Sequence, residues 1–385
     1  MRLALQLAYK NLMGAGLRTW LNVAVLSFAF VIIIFFNGLM DGWNRQARTD
    51  TIAWEYGNGH LRNNAYDPFD PFTLQDGHAV FPSEIKTGLT PILIQQGTIY
   101  PESRMVSVVL KGINPDQNIL EIPTEAFNNS TAKIPAIIGN RMAEAAKLKV
   151  GDEVLLRWRD KNGTFDASNT TIIDIFDTTV ATVDAGQIWM PLEILWDMTG
   201  LQNHATMAIA DSNYKNIPVE GWNFESQQEM LQNLDDIISM KKYSSAILYL
   251  LLLAIALLAI FDTQVLSIFR RQKEIGTYIA LGMTRLQVVK LFTVEGSMYS
   301  LLAMFVGSVY GIPLFIYLNK TGIGMPQASQ DLGISLADKI YPVFGIQLII
   351  GTILLVTISA TIVSFLPAKK ISKMNPVLAL KGKLQ

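Results

Sequence analysis

The chain lacks cysteine altogether and has only three histidines among its 385 residues. Without cysteine, neither a disulfide framework nor a thiolate metal site can form. His60, His78 and His204 are scattered over predicted loops and belong to no His-x-Glu or His-Glu-x-x-His pattern. Because catalytic metal sites need ligands at defined spacing, we predict no catalytic residue, no metal site and no bound cofactor in this chain.

A phosphate-binding loop of the form Gly-x-x-x-x-Gly-Lys-Ser/Thr is also missing, so this chain cannot hold ATP phosphates by that device. The net charge is only −1, yet residues 41–242 contain 16 Lys and Arg residues against 27 Asp and Glu residues, a net charge of −11. Because a nucleic acid needs a basic face, this acidic segment predicts no nucleic-acid partner.

Four long apolar runs without a charged residue are present, at 21–40, 244–261, 296–318 and 341–366. Buried helices of soluble proteins seldom reach 18 residues without a charge, whereas membrane-spanning helices need about 20 apolar residues. We therefore predict an α-helical membrane protein with four transmembrane helices and a large α+β extracytoplasmic (periplasmic) domain between the first and second. The first run is longer than the apolar region of a signal peptide and has no small-x-small cleavage pattern after it, which indicates an uncleaved anchor.

Basic residues precede the first run, occur in the segment after the second run and follow the fourth, and such segments stay in the cytoplasm. We expect a multi-pass protein of the cell inner (cytoplasmic) membrane with both termini cytoplasmic. The predicted segments are a cytoplasmic N-terminal amphipathic segment at 1–18, transmembrane helices at 19–41, 243–269, 288–318 and 341–366, a periplasmic α+β domain at 42–242, a cytoplasmic coupling helix at 270–287, a periplasmic loop at 319–340 and a cytoplasmic tail at 367–385.

The periplasmic segment has a mixed pattern. Alternation and β-branched residues predict strands at 105–110, 154–158, 171–176 and 206–210. Helices are predicted at 140–148 and at 191–199, the second with proline at its first position. The stretch 57–76, rich in Asn, Asp, Pro and Gly, predicts an irregular loop.

A stalk helix is predicted near 226–242. Ser226 is a candidate N-cap with Glu229 three residues later, and an apolar stripe then leads into the second run without Pro or Gly. A continuous helix from 226 to 269 would be about 65 Å long. The alternative is two helices with a break at 241–243.

The segment after the second run combines charge with an apolar edge. Its apolar positions recur at helical spacing, at Ile275, Tyr278, Ile279 and Gly282. This edge could face a groove, while Arg271, Lys273 and Glu274 face water or a partner. Gly276 and Gly282 permit close approach of another backbone, and Gly282 could also end the helix. A helix lying on anionic lipid is the alternative.

Two acidic residues lie near predicted membrane boundaries. Asp262 follows the second run and Glu295 opens the third. Ionisable groups inside a bilayer usually have a function. The alternative is that both acids reach interfacial water or pair with Arg270 and Lys290.

Several motifs together resemble a known family. They are Arg271-x-Lys273-Glu274-Ile275-Gly276, Ala-Leu-Gly-Met at 280–283, Phe292 with Glu295, the tail pattern at 367–380, the N-terminal patterns at 8–12 and 17–19, and the patterns at 138–143 and 148–154 in the outer segment. In this order they resemble FtsX-like permeases, the MacB and LolC/LolE type of ABC transporter membrane subunit.

The resemblance implies a transport subunit, not an enzyme, that works by mechanotransmission. A separate ABC ATPase dimer, which carries ATP and Mg, would grip the coupling helix through Arg271, Lys273, Glu274, Ile275, Gly276, Ile279 and Gly282. Glu295 is the implied membrane-boundary acid. Further implied partners are a second permease copy or sister permease, a periplasmic lipoprotein chaperone or adaptor, and membrane lipid.

The cargo is predicted from a single short pattern. The pattern at 183–186, preceded by 175–178, is similar to the outer domain of lipoprotein-releasing permeases and favours lipoprotein release from the inner membrane toward the outer membrane. MacB-like export of peptides or small lipophilic compounds is the alternative within the class. FtsX-like transmembrane signalling to a cell-wall hydrolase is the alternative from another class, and the neighbouring open reading frame would discriminate.

Overall fold

The computed structural model describes residues 16–82, 87–324 and 339–373, with the side chains of Arg18, Asn233, Ser372 and Lys373 left aside. These residues form two compact units. The helical unit contains those up to Trp43, Ile238–Ile323 and those from Tyr341 onward, and the sheet unit contains Asn44–Ile237 with Gly324 and residues 339–340. Predictions for residues 1–15, 325–338 and 374–385 fall outside the described residues.

The helices of the described residues are α1 Leu17–Thr51, α2 Asn140–Ala146, α3 Ala181–Asp184, α4 Leu192–Thr199, α5 Gln227–Arg270, α6 Gln272–Ala280, α7 Arg285–Thr321 and α8 Ile346–Ala368. A π-helical turn, Ile52–Tyr56, follows α1 directly, and short 3₁₀ turns lie at Pro71–Leu74, Pro101–Ser103, Thr124–Asn129 and Lys369–Lys373. Pro191 is the N-cap of α4 and not its first helical residue, which corrects the predicted start by one position.

Four helical stretches in the described residues are long and apolar enough to cross a membrane: Thr19–Tyr56, Gln227–Arg270, Arg285–Thr321 and Ile346–Ile371. The predicted number of such helices is therefore confirmed, while their sidedness stays a prediction. The first three contain the predicted transmembrane segments and extend beyond them, because helical hydrogen bonding does not stop where the apolar run ends. The fourth begins at Ile346, with Gly345 as its N-cap, five residues after the predicted start at 341, and continues past the predicted end.

The long helices α1, α5, α7 and α8 pack on one another around a common apolar core. Its buried members are Val23, Leu26, Ala29, Phe30, Ile33, Leu253, Ala256, Ile260, Tyr299, Ala303, Val356 and Ala360. Gly296 of α7 lies so close to α8 that an added Cβ would stand 2.2 Å from the Ser364 hydroxyl. Small residues at such crossings let helices approach closely where lipid offers no hydrophobic driving force.

Helix α5 is continuous, so the alternative of a break at 241–243 is wrong. Its start has the predicted capping box: the Ser226 amide donates to the Glu229 carboxylate at 2.8 Å, and the Glu229 amide donates to the Ser226 hydroxyl at 3.4 Å. The two lysines at the predicted break contact α1 instead. Lys242 forms an ion pair with Asp41 at 2.6 Å, and Lys241 lies over the ring of Trp43 at 4.5 Å.

The strands are β1 Gly59–Asn63, β2 Ala79–Val80, β3 Leu89–Ile99, β4 Val106–Ile113, β5 Pro135–Gly139, β6 Glu153–Arg159, β7 Phe165–Phe176, β8 Gln187–Pro191, β9 His204–Ala205, β10 Met207–Ala210, β11 Trp222–Ser226, β12 Ile323–Gly324 and β13 Lys339–Ile340. Nine of them form one mixed sheet in the order β11-β1-β10-β3-β4-β8-β5-β7-β6, and β2 pairs with β9. The predicted strands are present as β4, β6, β7 and β10.

The two halves of the long strand β3 pair with different sets of strands. Its second half pairs with β4 and also with β6, which closes six strands into a ring. Its first half pairs with β10, and β1 and β11 continue the sheet outward from there. The ring is filled by an apolar cluster that includes Leu110, Ile138 and Leu156.

The prediction of an irregular loop over 57–76 is wrong in part, because Gly59–Asn63 forms β1 between β10 and β11. Gly59 has a φ of +139°, and an added Cβ there would lie 2.6 Å from the Glu225 carbonyl oxygen. Glycine is therefore needed at this position by the neighbouring strand, and its presence does not mark a loop.

Candidate functional site

The predicted coupling helix is the short helix α6, and the sequence sets both of its ends. At the start, Arg271 leaves helical geometry, with φ −101° and ψ 21°, and separates α6 from α5. At the end, the Met283 amide donates to the Tyr278 carbonyl at 3.0 Å and the Gly282 amide donates to the Ile279 carbonyl at 3.1 Å. This is a Schellman motif with Gly282 at φ +98°, a conformation that side chains disfavour.

Helix α7 then begins at once. The Thr284 hydroxyl accepts from the Gln287 amide at 3.3 Å, and the Gln287 side chain accepts from the Thr284 amide at 2.8 Å, a reciprocal capping box. Only residues 281–284 therefore connect α6 to α7. Because the connection is short and capped at both ends, the end of α6 lies close to the start of α7.

The Arg271 guanidinium binds two carboxylates on two helices. Its Nη1 donates to both carboxylate oxygens of Glu295 on α7, at 3.0 and 2.9 Å, and its Nε donates to Glu274 of α6 at 2.7 Å. The guanidinium also lies over the ring of Phe292 at 4.9 Å. The Arg271 and Glu295 side chains are only 17% and 8% exposed. Glu295 thus has a buried partner in Arg271, which corrects the expected pairing with Arg270 or Lys290.

The second contact between α6 and the other helices is apolar. Ile275 has no exposed surface and belongs to a cluster drawn from α5, α6, α7, α8 and the 3₁₀ turn after α8. The buried members are Ile268, Ile275, Val288, Val289, Phe292, Ala368 and Ile371, with Tyr278, Ile279 and Met283 packed against them. The predicted apolar edge of α6 is real, but it is occupied by this chain's own helices. The groove that this edge was expected to face is therefore formed by this chain's own helices. Arg271, expected to face water or a partner, is instead mostly buried against Glu295.

The seven predicted coupling residues divide into two groups. Arg271, Ile275 and Gly276 are buried or partly buried and Ile279 is partly buried, so these residues fix α6 in place. The other three, Lys273, Glu274 and Gly282, are exposed. An added Cβ at Gly282 would meet nothing within 4 Å, so its glycine serves the helix end and not a close backbone approach within this chain.

Two exposed apolar residues beside α6 were missed by the sequence argument. Leu281 is 79% exposed and Leu286 is 64% exposed. Both lie off the predicted stripe: Leu281 is the first residue of the 281–284 connection, and Leu286 lies in the first turn of α7. The sequence signal for them is weak, because it consists only of leucines at positions away from the buried edge. The exposed residues Lys273, Glu274, Leu281 and Leu286 are called here the outer face.

The remaining candidate residues are Asp262 and the three histidines. Asp262 of α5 is exposed. His78 and His204, expected to be scattered, meet with their Nδ1 atoms 2.9 Å apart, and burial lowers the pKa of both. His60 is buried in β1. No group of three metal-ligating side chains occurs within the residues that the structure describes.

Comparison with known proteins bears on the same region. Residues 246–376 match the model of the FtsX-like permease C-terminal family. The matched residues, about a third of the chain, are therefore similar to the C-terminal part of FtsX-like permeases. An uncharacterized ABC transporter permease of Methanocaldococcus jannaschii, MJ1507, is 28% identical over 130 residues, which cover 34% of this chain and 30% of the length of that relative. The resemblance seen in the motifs is confirmed.

A solved structure was also matched. The extracellular domain of the noncanonic ABC-type transporter YknZ from Gram-positive bacteria is 10% identical, with 44% of this chain and 99% of that chain covered, at a TM-score of 0.26. That score is too low to bear on the fold of the sheet unit. The FtsX-like match runs from within α5 to beyond α8, so it contains α6, Arg271, Glu295 and the outer face.

Proposed function

We propose that this chain is the permease subunit of an ABC transporter that works by mechanotransmission. Its ATPase is a separate dimer that binds ATP and Mg, and α6 is where that dimer presses on the permease. The observation that carries the proposal is the construction of α6: its inner side is bound to the membrane helices, while its outer face presents Leu281, Leu286, Lys273 and Glu274. The similarity to FtsX-like permeases suggests the class of partner.

The inner side makes α6 suited to transmit force. Arg271 ties it to α7 through Glu295, 24 residues farther along the chain, and Ile275 packs with Ala368 of α8 and Ile268 of α5 in one buried cluster. A partner that moved the outer face would therefore displace the ends of three apolar helices together. A helix lying loosely on lipid would need neither a buried ion pair nor a buried isoleucine.

The sidedness follows from the basic residues around α6. We place α6 and both termini in the cytoplasm of a cell inner membrane, and the sheet unit outside it, because Lys and Arg resist translocation. A second permease copy or a sister permease would present the second outer face to the ATPase dimer. Membrane lipid surrounds the apolar helices.

For the cargo we propose lipoprotein release toward the outer membrane, with a periplasmic chaperone or adaptor as acceptor. The support is the sequence resemblance around 183–186. In the structure Asp184 is fully buried and accepts hydrogen bonds from the Arg141 amide and guanidinium at 2.9 and 2.8 Å. Asp184 and Arg141 therefore hold α2 to α3, while Ala185 beside them is exposed. MacB-like export and FtsX-like signalling remain the competing outcomes.

The outer face can be tested with Leu281→Asp. Because Leu281 is 79% exposed, the substitution removes little packing within the chain but places a carboxylate where a partner would bury an apolar contact. We expect co-purification of the ATPase to be lost, with ATP turnover of the purified complex reduced about tenfold or more. The measurements are the ATPase-to-permease ratio after affinity purification from native membranes and the steady-state rate of ATP hydrolysis.

Val150→Asp is the matched control, since Val150 is an apolar residue of the sheet unit that is 57% exposed. It should leave both measurements unchanged. Full retention of the ATPase by Leu281→Asp would remove the outer face as the docking surface. Absence of any ABC ATPase from the wild-type preparation would overturn the permease proposal, and a co-purified lipoprotein chaperone, export partner or cell-wall hydrolase would decide the cargo.

A further inference from the structure

The sheet unit contains a cavity of about 300 Å³ that the coupling argument does not use. One side of it is the face of β11, β1, β10, β3, β4 and β8, and the facing side comes from the π-helical turn, the loop after β1, α3 and the first turn of α5. This volume lies at the lower end of the range for small-molecule sites, about 300–1,000 Å³. All lining residues lie within the sheet unit.

Strand register explains how the lining residues come together. Ile94 of β3 is opposite Lys111 of β4, and Lys111 is opposite Trp189 of β8. In the next row, Arg62 of β1 is opposite Met207 of β10. Because side chains alternate between the two faces of a sheet, residues paired in register share a face. The sheet order therefore brings a lysine, a tryptophan and several aliphatic residues to one surface.

The facing side is mostly apolar or aromatic. It includes Tyr66, Phe69, Leu120 and Met230. Phe69 is 86% exposed, so it lies at the edge of the cavity and is open to solvent. An apolar ligand could therefore enter beside Phe69 and bury its body between Met230 and the sheet.

Among the charged groups of the cavity, Lys111 differs from Arg62 and Glu55 in the partner it contacts. Arg62 forms an ion pair with Glu225, and the Glu55 carboxylate accepts a hydrogen bond from the Thr182 hydroxyl at 2.6 Å. Lys111 instead places its ammonium over the Trp189 ring, 4.8 Å from the centroid. Within the described part of the chain, no carboxylate oxygen lies within 4.0 Å of that ammonium.

The environment of Lys111 is costly for a cation. Burial lowers the pKa of its amine, and the Glu55 carboxylate only partly opposes that effect. His60 adds no charge near neutral pH, because burial lowers its pKa to about 4. A buried ammonium without a close counter-ion is destabilising, and an anionic group bound next to it would remove that cost.

We propose that this cavity binds a small organic anion, a monocarboxylate with an apolar body, whose carboxylate pairs with the Lys111 ammonium while its body packs against Tyr66, Phe69 and Met230. The sheet unit would then have a ligand site of its own. This inference does not rest on the proposed coupling function, and its test uses no ATPase.

The test measures binding of octanoate and 4-phenylbutyrate to the full chain in lipid nanodiscs by calorimetry, with octanol and 4-phenylbutanol as neutral counterparts and empty nanodiscs as the reference. We expect each acid to bind at least about tenfold more tightly than its alcohol, because only the acid can make a charge-assisted contact with the Lys111 ammonium. Lys111→Met should remove the preference for the acid, and Lys111→Arg should keep most of it.

Lys133→Met is the matched control, because Lys133 is exposed and lies outside the cavity. It should bind the acids as the wild type does. Failure of both acids to bind the wild type, equal binding of acid and alcohol, or an unchanged preference in Lys111→Met would each overturn the proposal. The comparison of acid with alcohol in the wild type needs no substitution, so the proposal can be tested even if Lys111→Met does not fold.

Discussion

The buried ion pair between Arg271 and Glu295 predicts how firmly α6 is attached, and substitutions of the two partners should have unequal effects. Glu295→Gln removes the carboxylate charge, but Arg271 keeps its contact with Glu274 at 2.7 Å. Breaking a buried pair costs about 3–5 kcal/mol. Because the second carboxylate remains, we expect about 2 kcal/mol for Glu295→Gln. Arg271→Met removes the guanidinium from both Glu295 and Glu274 and should cost about 3 kcal/mol.

The absence of cysteine provides the assay. Ala368→Cys introduces a single thiol at a fully buried position in the same cluster as Ile275. When local opening is fast and reversible, the thiol reacts in proportion to the open population. Since each 1.4 kcal/mol is a factor of ten, labelling should accelerate about 30-fold with Glu295→Gln and about 100-fold with Arg271→Met. The double variant should show less than the sum of the two free-energy changes.

Ala360→Cys is the control, since Ala360 is equally buried on the same helix but belongs to the core between the long helices. Its labelling rate should not change in either variant. The reasoning is refuted if Ala368→Cys labels at the wild-type rate in Arg271→Met. It is also refuted if Ala360→Cys accelerates to the same extent, because the pair would then stabilise the whole helical unit and not the attachment of α6.

Two further predictions concern the backbone and pH. Gly282→Ala should destabilise the end of α6 by about 1 kcal/mol, because the φ of Gly282 is +98°, and hydrogen exchange at the Met283 amide should become faster. Gly345→Ala, at φ −69° and with nothing near the added Cβ, should leave that exchange rate unchanged. Equal effects of the two substitutions would contradict the Schellman assignment. Because the pKa of His60 is about 4 when folded and 6.5 in its ordinary state, the unfolded chain binds more protons, so stability is complete above pH 6.5 and about 3 kcal/mol is lost as the pH falls to 4. Denaturation of the full chain against pH should lose this component in His60→Gln, and an unchanged pH profile would show that His60 does not carry it.

Much of the local structure follows from short stretches of sequence. Ser226 with Glu229 predicts the start of α5, and Gly282 predicts the end of α6, because caps involve residues only three to five positions apart. The charge-free runs predict four apolar helices, since the cost of burying charge in lipid acts on each residue independently of its neighbours in space. The position of α6 between two such helices follows in the same way.

What pairs across the chain could not be obtained from the sequence. Glu295 was expected near Arg270 or Lys290, yet the turn at Arg271 directs a different cation toward it. The apolar edge at Ile275 was recognised, but its occupant became clear only when α5, α7 and α8 were in place around it. An amphipathic pattern states that a face will be covered, not what covers it.

The sequence by itself determined that this is a chain with four apolar helices, a large acidic segment and a short charged helix carrying the FtsX-like motif. The tertiary structure alone decided that the motif's inner residues attach α6 while Leu281 faces outward, and that Lys111 stands beside Trp189 in a cavity. The physical reason is the range of the interactions. Caps and apolar runs are local, whereas strand register, helix packing and buried charge join residues from distant parts of the chain.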